Sequence, residues 1–448
     1  MADLRVRPAT VPAPRRTPPG PAPAASARPG ARDRLHRAVL AIDAATPSSR
    51  DRAVDALRAY SILGVVLGHW LVSAVVLRAG GHLAGDSPLR HVPALTPLTW
   101  VLQPLALFFF VGGRVGSRSY ASAVAAGTGY RAWLARRLRQ LLRPALALLA
   151  VWSLVLIGLA TAGAAYETVR TLVQLALSPL WFLCVYAVIT AATPLIRRRP
   201  GRLALAAGAL VAAPDLVRAL VGDVAGLDAL RSLNVLAGWL VPYALGALWA
   251  AGGLARRRYA LALLAGGAGA LAALVLWCGY PASMVGVPGA AVSNLSPPTP
   301  AAVCFGVAQC GLGLLLCGAL RRLTGQRERP TPPPAAGAPV RATAGQFRWA
   351  AVALLNLSAM TVFLWHQTSM LATTVVALGL GGYWSGLHTA PDGPLWVLFR
   401  LAWLPVFAGV LALCWLSFRD LERSARRREP ASTPCTSVEP HQLQGEMS

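Results

Sequence analysis

What most restricts the fold of this chain is where its arginines fall. Ten apolar segments, each about the 20 residues that a membrane-spanning helix needs, lie near 53–77, 94–113, 144–163, 175–196, 203–221, 233–252, 259–279, 299–319, 350–379 and 395–417. All 42 basic residues are arginine, and 35 of them occupy alternate connections: the stretch before the first segment, 114–143, 197–202, 256–258, 321–348, and the residues after 418. The opposite side holds only six, Arg78, Arg90, Arg170, Arg231 and, at segment ends, Arg218 and Arg400, and Arg58 lies inside the first segment. Cytoplasmic loops of membrane proteins carry the excess of basic residues. The pattern therefore predicts an all-α polytopic membrane protein with ten transmembrane helices and both termini cytoplasmic. Miscounting one segment would scramble the alternation. The fifth segment is the weakest, because Pro214, Asp215 and Arg218 interrupt its far end. The ninth is long enough to be tilted, kinked or partly re-entrant.

Composition agrees. Only 13% of the 448 residues are charged, against about 25% in soluble domains. A net charge of +25 would suit a nucleic-acid binder, but here the charge follows the loops. It reads as a topology signal with some attraction to anionic lipid, and no nucleic-acid partner is expected. Residues 1–48, rich in Pro, Ala and Arg, are expected to form a disordered cytoplasmic tail without the apolar core of a secretory signal. Residues 49–423 form the transmembrane domain, 326–345 a Pro-rich cytoplasmic linker, and 424–448 a disordered cytoplasmic tail. Neither tail is long enough to bury a core. Six of the seven cysteines lie in or at the ends of apolar segments, and none has metal-ligand spacing. Neither a disulfide nor a metal site is expected.

Three places could carry chemistry. The first segment holds Asp55, Arg58 and His69. Arg58 and His69 are eleven residues apart, almost three helical turns, so both project from one face roughly 16 Å apart along the axis. His69 reads either as a structural histidine bonded to a neighbouring helix or as a general acid–base group. Arg58 is either a snorkelling anchor or a grip for an anion in an inward-open cavity, with Asp55 as its pair or orienter. The second place is the connection after the second segment, with Arg114, Arg118, Arg131, Arg136, Arg137, Arg139 and Arg143. These set topology, or their planar forks hold phosphates of a carrier; Gly112–Gly113 would let the chain turn tightly there. The third is LWHQTSM, where His366 and Gln367 lie at mid-span depth with Asn356 ten residues earlier. They form either part of a polar cavity or ordinary interhelical bonds. Trp181 in PLWFLCVY reads as packing or interfacial anchoring.

Taken together, RAVDALRAYSILGVVLGHW, FFFVGG, RRLRQLLRP, PLWFL and TVFLWH occur in one order across roughly 52–417. In that order they resemble the acyltransferase type 3 family of integral-membrane O-acyltransferases, which also has about ten spans. The resemblance implies that 49–423 is a transmembrane acyltransferase domain in the cell membrane, of the bacterial plasma-membrane kind. It implies His69 as the catalytic histidine with Arg58 as its cytoplasmic-side companion; Asp55 joins them as a candidate catalytic residue on the reading of the first segment alone. The residues themselves make Arg114, Arg136, Arg137, Arg139, Trp181 and His366 the candidate substrate contacts. The family's R-x-x-R element falls on Arg136 and Arg139, or on a register based on Arg137; Gln140 stands where a further arginine is common. No bound cofactor is implied. The donor would be an acyl-CoA, carrying acetyl or another short acyl group, and the acceptor a hydroxyl of a glycan, lipid-linked sugar, cell-envelope component or metabolite. A transporter is the alternative, but it needs intramembrane coupling groups. Only Asp55 and Asp215 are candidates, and no internal repeat is evident. A non-catalytic membrane scaffold is the third reading.

Overall fold

The structure, a computed structural model, describes residues 30–222, 224–326 and 341–427, with side chains through Arg419. The expectations for 1–29, 428–448 and most of the Pro-rich linker lie outside these residues. The chain opens with α1 (Ala31–Ala44) and α2 (Arg52–Val72), then a hairpin of β1 (Ala74–Leu77) and β2 (Leu83–Asp86). Short pieces α3 (Pro88–His91), a 3-10 turn (Pro93–Leu95) and α4 (Thr96–Leu102) lead into α5 (Leu105–Ala125) and α6 (Tyr130–Thr161). Next come α7 (Tyr166–Leu177), α8 (Pro179–Ala191), α9 (Thr193–Ile196), α10 (Pro200–Val221), α11 (Leu227–Ser232), α12 (Asn234–Ala250) and α13 (Arg257–Trp277). The last four are α14 (Pro300–Leu323), α15 (Ala344–Leu357), α16 (Ala359–Gly379) and α17 (Pro394–Arg427).

Among the described residues, eight helical stretches are long and apolar enough to cross a membrane, and the bent pair α15–α16 makes nine. Helix α2 stands in the bundle beside them. Its 21 residues reach about 31 Å at 1.5 Å per residue, the thickness of a hydrocarbon core, but Asp55, Arg58 and His69 dilute its hydropathy. The protein is thus an all-α polytopic membrane protein. Each end of the bundle gathers connections that the arginine pattern puts on one side. At one end Arg114 and Arg321 both bond Asp51. At the other the Leu83 amide donates to Thr168 and the Met284 amide to Thr99.

Several boundaries differ from expectation. Residues 31–44, expected within a disordered tail, form α1. The segment contains no Pro, and it docks: the His36 ring meets Phe347 edge-on at 5.2 Å, Val39 is buried, and Asp43 accepts from Arg52 and Gln346. The first apolar segment stops being helical at Val72, and its last residues pair as β1 with β2. The Arg-rich connection 114–143 is nearly all helix, since α5 and α6 extend past the apolar run and leave only 126–129 between them. Gly112–Gly113 therefore makes no turn. A Cβ on Gly113 would collide with the Tyr243 carbonyl oxygen, and one on Gly246 of α12 with that of Phe110. The two glycines let α5 and α12 approach backbone to backbone, the usual role of small residues between membrane helices. The ninth segment is kinked by 75° at Ser358, and its first half, α15, packs on α1 and the start of α2. Helix α10 runs through Pro214 to Val221 because its polar residues find partners: Asp215 pairs with Arg231 and accepts from Tyr280, and Arg218 pairs with Asp228.

Candidate active site

Helix α2 begins at Asp51, whose side chain accepts from the Ala53 amide as its N-cap. Arg321 bonds both carboxylate oxygens and Arg114 lies 3.3 Å away. Burial pulls the Asp51 carboxyl upward, but these two cations outweigh it and hold it below the ordinary carboxylate value. The helix ends at Val72, and there Arg400, 1% exposed, donates to the carbonyls of Trp70 (2.6 Å), Ser73 (2.8 Å) and Gly386 (2.9 Å). Carbonyls at a helix C-terminus lack intrahelical partners, and a cation there is favourable. Both ends of the helix that carries Arg58 and His69 are thereby anchored.

Arg58 and His69 face different spaces. Arg58 lines a cavity of about 340 Å³, toward the Asp51 end of α2, with Phe108, Arg137, Gln140, Tyr186 and Thr190. His69 lines a second, of about 620 Å³, toward the hairpin end, with His366, Trp181, Phe182, Phe363 and Asp86. The cavities share no lining residue, yet α2, α5, α8 and α16 each contribute to both. Gly64 and Gly68 seat the break between α4 and α5 against α2 next to His69. Added Cβ atoms there would lie 2.5 Å from Pro104 Cγ and 2.7 Å from the Leu102 carbonyl oxygen.

Around His69 the polar groups come from α16. The Gln367 amide nitrogen stands 3.1 Å from His69 Nδ1, and the His366 ring lies 5.1 Å from the His69 ring. His366 Nδ1 donates to the Phe363 carbonyl at 2.6 Å, so in the neutral ring Nε2 carries the lone pair. That Nε2 and Gln367 Oε1 are buried without hydrogen-bond partners. Trp70 Nε1 donates to the His366 carbonyl and ties the two helices together. From LWHQTSM, His366 lines the cavity that contains His69, and Gln367 reaches the His69 ring.

The other named residues divide. Trp181 and His366 share the His69 cavity, and Arg137 shares the Arg58 cavity. Asp55, expected beside Arg58, pairs with Arg50 at 2.6 Å and lines neither cavity. Arg114 is engaged by Asp51 and stacks 3.8 Å over the Trp249 ring, away from both. Arg139 is exposed and donates to the Ala135 carbonyl of its own helix. Arg136 lies in a shallower pocket beside Trp133 and Ser119, which Arg137 and Gln140 also line. The cavity-facing register is therefore Arg137 and Gln140, three apart on α6. Asn356 donates to the carbonyls of Asp55 and Val352, an interhelical tie outside both cavities. Sequence reading missed Arg400, which counts there as a loop charge although it interrupts the apolar run PLWVLFRLAWL. It also missed Asp86, Tyr186 and Thr190, which carry no signal outside the fold.

Both cavities, and every residue that lines them, lie within residues 51–419, and that stretch matches the family model described as an acyltransferase domain. The chain belongs to this acyltransferase family. It is a multi-pass membrane enzyme that moves acyl groups other than amino-acyl groups from an acyl donor to a hydroxyl acceptor. No curated protein and no solved structure matches the chain.

Proposed function

We propose that this enzyme takes an acetyl or other short acyl group from cytoplasmic acyl-CoA and passes it to a hydroxyl held in the cavity of His69. The hydroxyl would belong to a glycan, a cell-envelope component or a metabolite, in a bacterial plasma membrane. The observation that carries this reading is the opposition of the two cavities along one helix, cationic at Arg58 and imidazole-lined at His69. Arg58 and Arg137 offer planar donor forks to the CoA phosphates, and Tyr186 and Thr190 offer hydroxyls to the pantetheine amides. His69 Nε2 takes the proton of the acceptor hydroxyl as its oxygen attacks the thioester carbonyl carbon. The C–S bond breaks, the imidazolium returns the proton to the departing thiolate, and an ester and free CoA remain. This role puts the proton of neutral His69 on Nδ1, facing Gln367 Oε1 when the amide is turned to present it; amide orientation is interchangeable in such a network.

The test uses inside-out membrane vesicles of the source cell, which carry the native acceptor, and labelled acetyl-CoA. Vesicles with the wild-type chain should move label into a product other than acetyl-CoA. With His69→Ala the rate should fall about 10²- to 10⁴-fold, the usual worth of a general base, at unchanged protein level. Equal rates in the two would end the assignment.

A further inference from the structure

The Arg58 cavity and the His69 cavity do not meet. Between them stand three phenylalanines from three helices: Phe108 of α5, Phe182 of α8 and Phe363 of α16. Phe108 borders the Arg58 cavity, and Phe182 and Phe363 border the His69 cavity. The Phe108 and Phe182 ring centroids are 5.1 Å apart with planes at 76°, and those of Phe182 and Phe363 are 4.9 Å apart at 53°. Rings at these separations are in contact, so no acyl chain passes between them as they stand. The contacts continue to the functional groups on either side. The Arg58 guanidinium lies 5.9 Å from the Phe108 centroid, and the Phe363 and His366 rings are 6.0 Å apart. An unbroken line of side chains thus leads from Arg58 to His69, and its middle is purely aromatic.

On the reading proposed above, a thioester that arrives beside Arg58 must cross this line to reach His69. We propose that Phe108, Phe182 and Phe363 form an aromatic door that opens by side-chain rotation for the acyl end of the donor, and that its bore limits the length of the acyl group transferred. Rings that close behind a narrow thioester keep the bulky, phosphate-bearing part of the donor on the Arg58 side. They also keep water of the donor cavity away from His69, where the base would turn it on the thioester. The rings are specificity-determining rather than catalytic, because chemistry occurs at His69.

The test compares labelled acetyl-CoA with labelled hexanoyl-CoA in the same vesicles, for the wild type, Phe108→Ala and Phe182→Ala. The milder Phe108→Leu and Phe182→Leu stand in wherever an alanine variant fails to reach wild-type protein level. Removing a ring should raise the hexanoyl-to-acetyl ratio of kcat/KM by about tenfold or more, the discrimination that a few methylenes of space provide, with faster thioester hydrolysis alongside. A door is overturned if folded variants keep the wild-type ratio, whether both rates fall together or neither changes, since rings that merely pack would act on both donors alike. A wild type that transfers no acyl group from either thioester overturns the function itself and the door with it. A wild type that transfers acetyl while the variants keep its ratio overturns the door alone.

Discussion

The side-chain amide of Gln367 lies 3.1 Å from Nδ1 of His69, so α16 touches the ring that α2 presents to the cavity. Of the two ring nitrogens, Nδ1 is thereby engaged, and on the proposed mechanism Nε2 is the one that meets the acceptor hydroxyl. Gln367 is 0% exposed, which leaves its amide little freedom to wander. Replacement by leucine, of similar size, removes the hydrogen bond and lets the ring choose its tautomer and tilt. Gln367→Leu should lower kcat by about 10- to 100-fold, the cost of a misplaced catalytic group. KM for acyl-CoA should stay within twofold, because the proposed donor cavity, at Arg58, is on the other side of the aromatic rings. Steady-state kinetics over a range of acyl-CoA concentrations checks this; a rise in KM at constant kcat would contradict it.

Donor binding should distinguish two neighbouring arginines. Arg137 lines the Arg58 cavity, whereas Arg139 is exposed and bonded within its own helix. A hydrogen bond to a charged group contributes about 1.5–3 kcal/mol, and 1.4 kcal/mol is a factor of ten. Arg137→Gln should therefore raise KM for acyl-CoA about tenfold or more, and Arg139→Gln should leave it within about twofold. Titration of acyl-CoA against each variant decides it, and equal effects would mean that the register on α6 is set differently.

Arg400 should be essential to the fold. Its guanidinium satisfies the carbonyls of Trp70, Ser73 and Gly386, and Cζ lies 4.8 Å from the Phe407 centroid. Arg400→Met keeps the apolar stem but leaves those carbonyls buried without donors, at about 1–3 kcal/mol each. A loss of about 3 kcal/mol or more is expected, read as a lower thermal midpoint in detergent. Arg400→Lys should recover little of it, because a compact ammonium cannot reach three diverging carbonyls as a fork does.

Acid should act on the other end of α2. The cations at Asp51 hold its carboxyl below the ordinary value of 3.8. A depressed folded pKa contributes stability that is fully present above the unfolded value and lost as pH falls through the folded one. Asp51→Asn should thus be less stable than the wild type at pH 7. The gap should narrow as pH drops below about 4, as thermal midpoints from pH 7 down to 3 will show. A gap independent of pH would contradict this, because asparagine caps a helix N-terminus about as well as aspartate and lacks only the charge.

Much of this was legible beforehand. The apolar segments mark a polytopic all-α membrane protein, and that is the architecture found, because a span's length and apolarity are written within the segment itself. Arg58 and His69 could be put on one helix face from spacing alone. The three ends that were misjudged, at 31–44, 73–77 and 114–143, are places where a local reading ignores a partner. Residues 31–44 become helical when Val39 and His36 dock, 74–77 become a strand when 83–86 pair with them, and Arg-rich helices extend into water without an apolar signal to mark them. Gly112 and Gly113 gave a turn by propensity and a helix contact in fact, since what they face is Tyr186 and the Tyr243 backbone.

The sequence by itself determined the class of fold and the helix that carries Arg58 and His69, because period and charge are properties of a single segment. Only the tertiary structure decided that those two residues open into different cavities. It alone selected Arg137 over Arg139, committed Arg114 and Asp55 to ion pairs, and made Arg400 a buried clamp. Each of these depends on which side chains from other helices fill the intervening space, and along one face of α2 that space is filled by three aromatic rings.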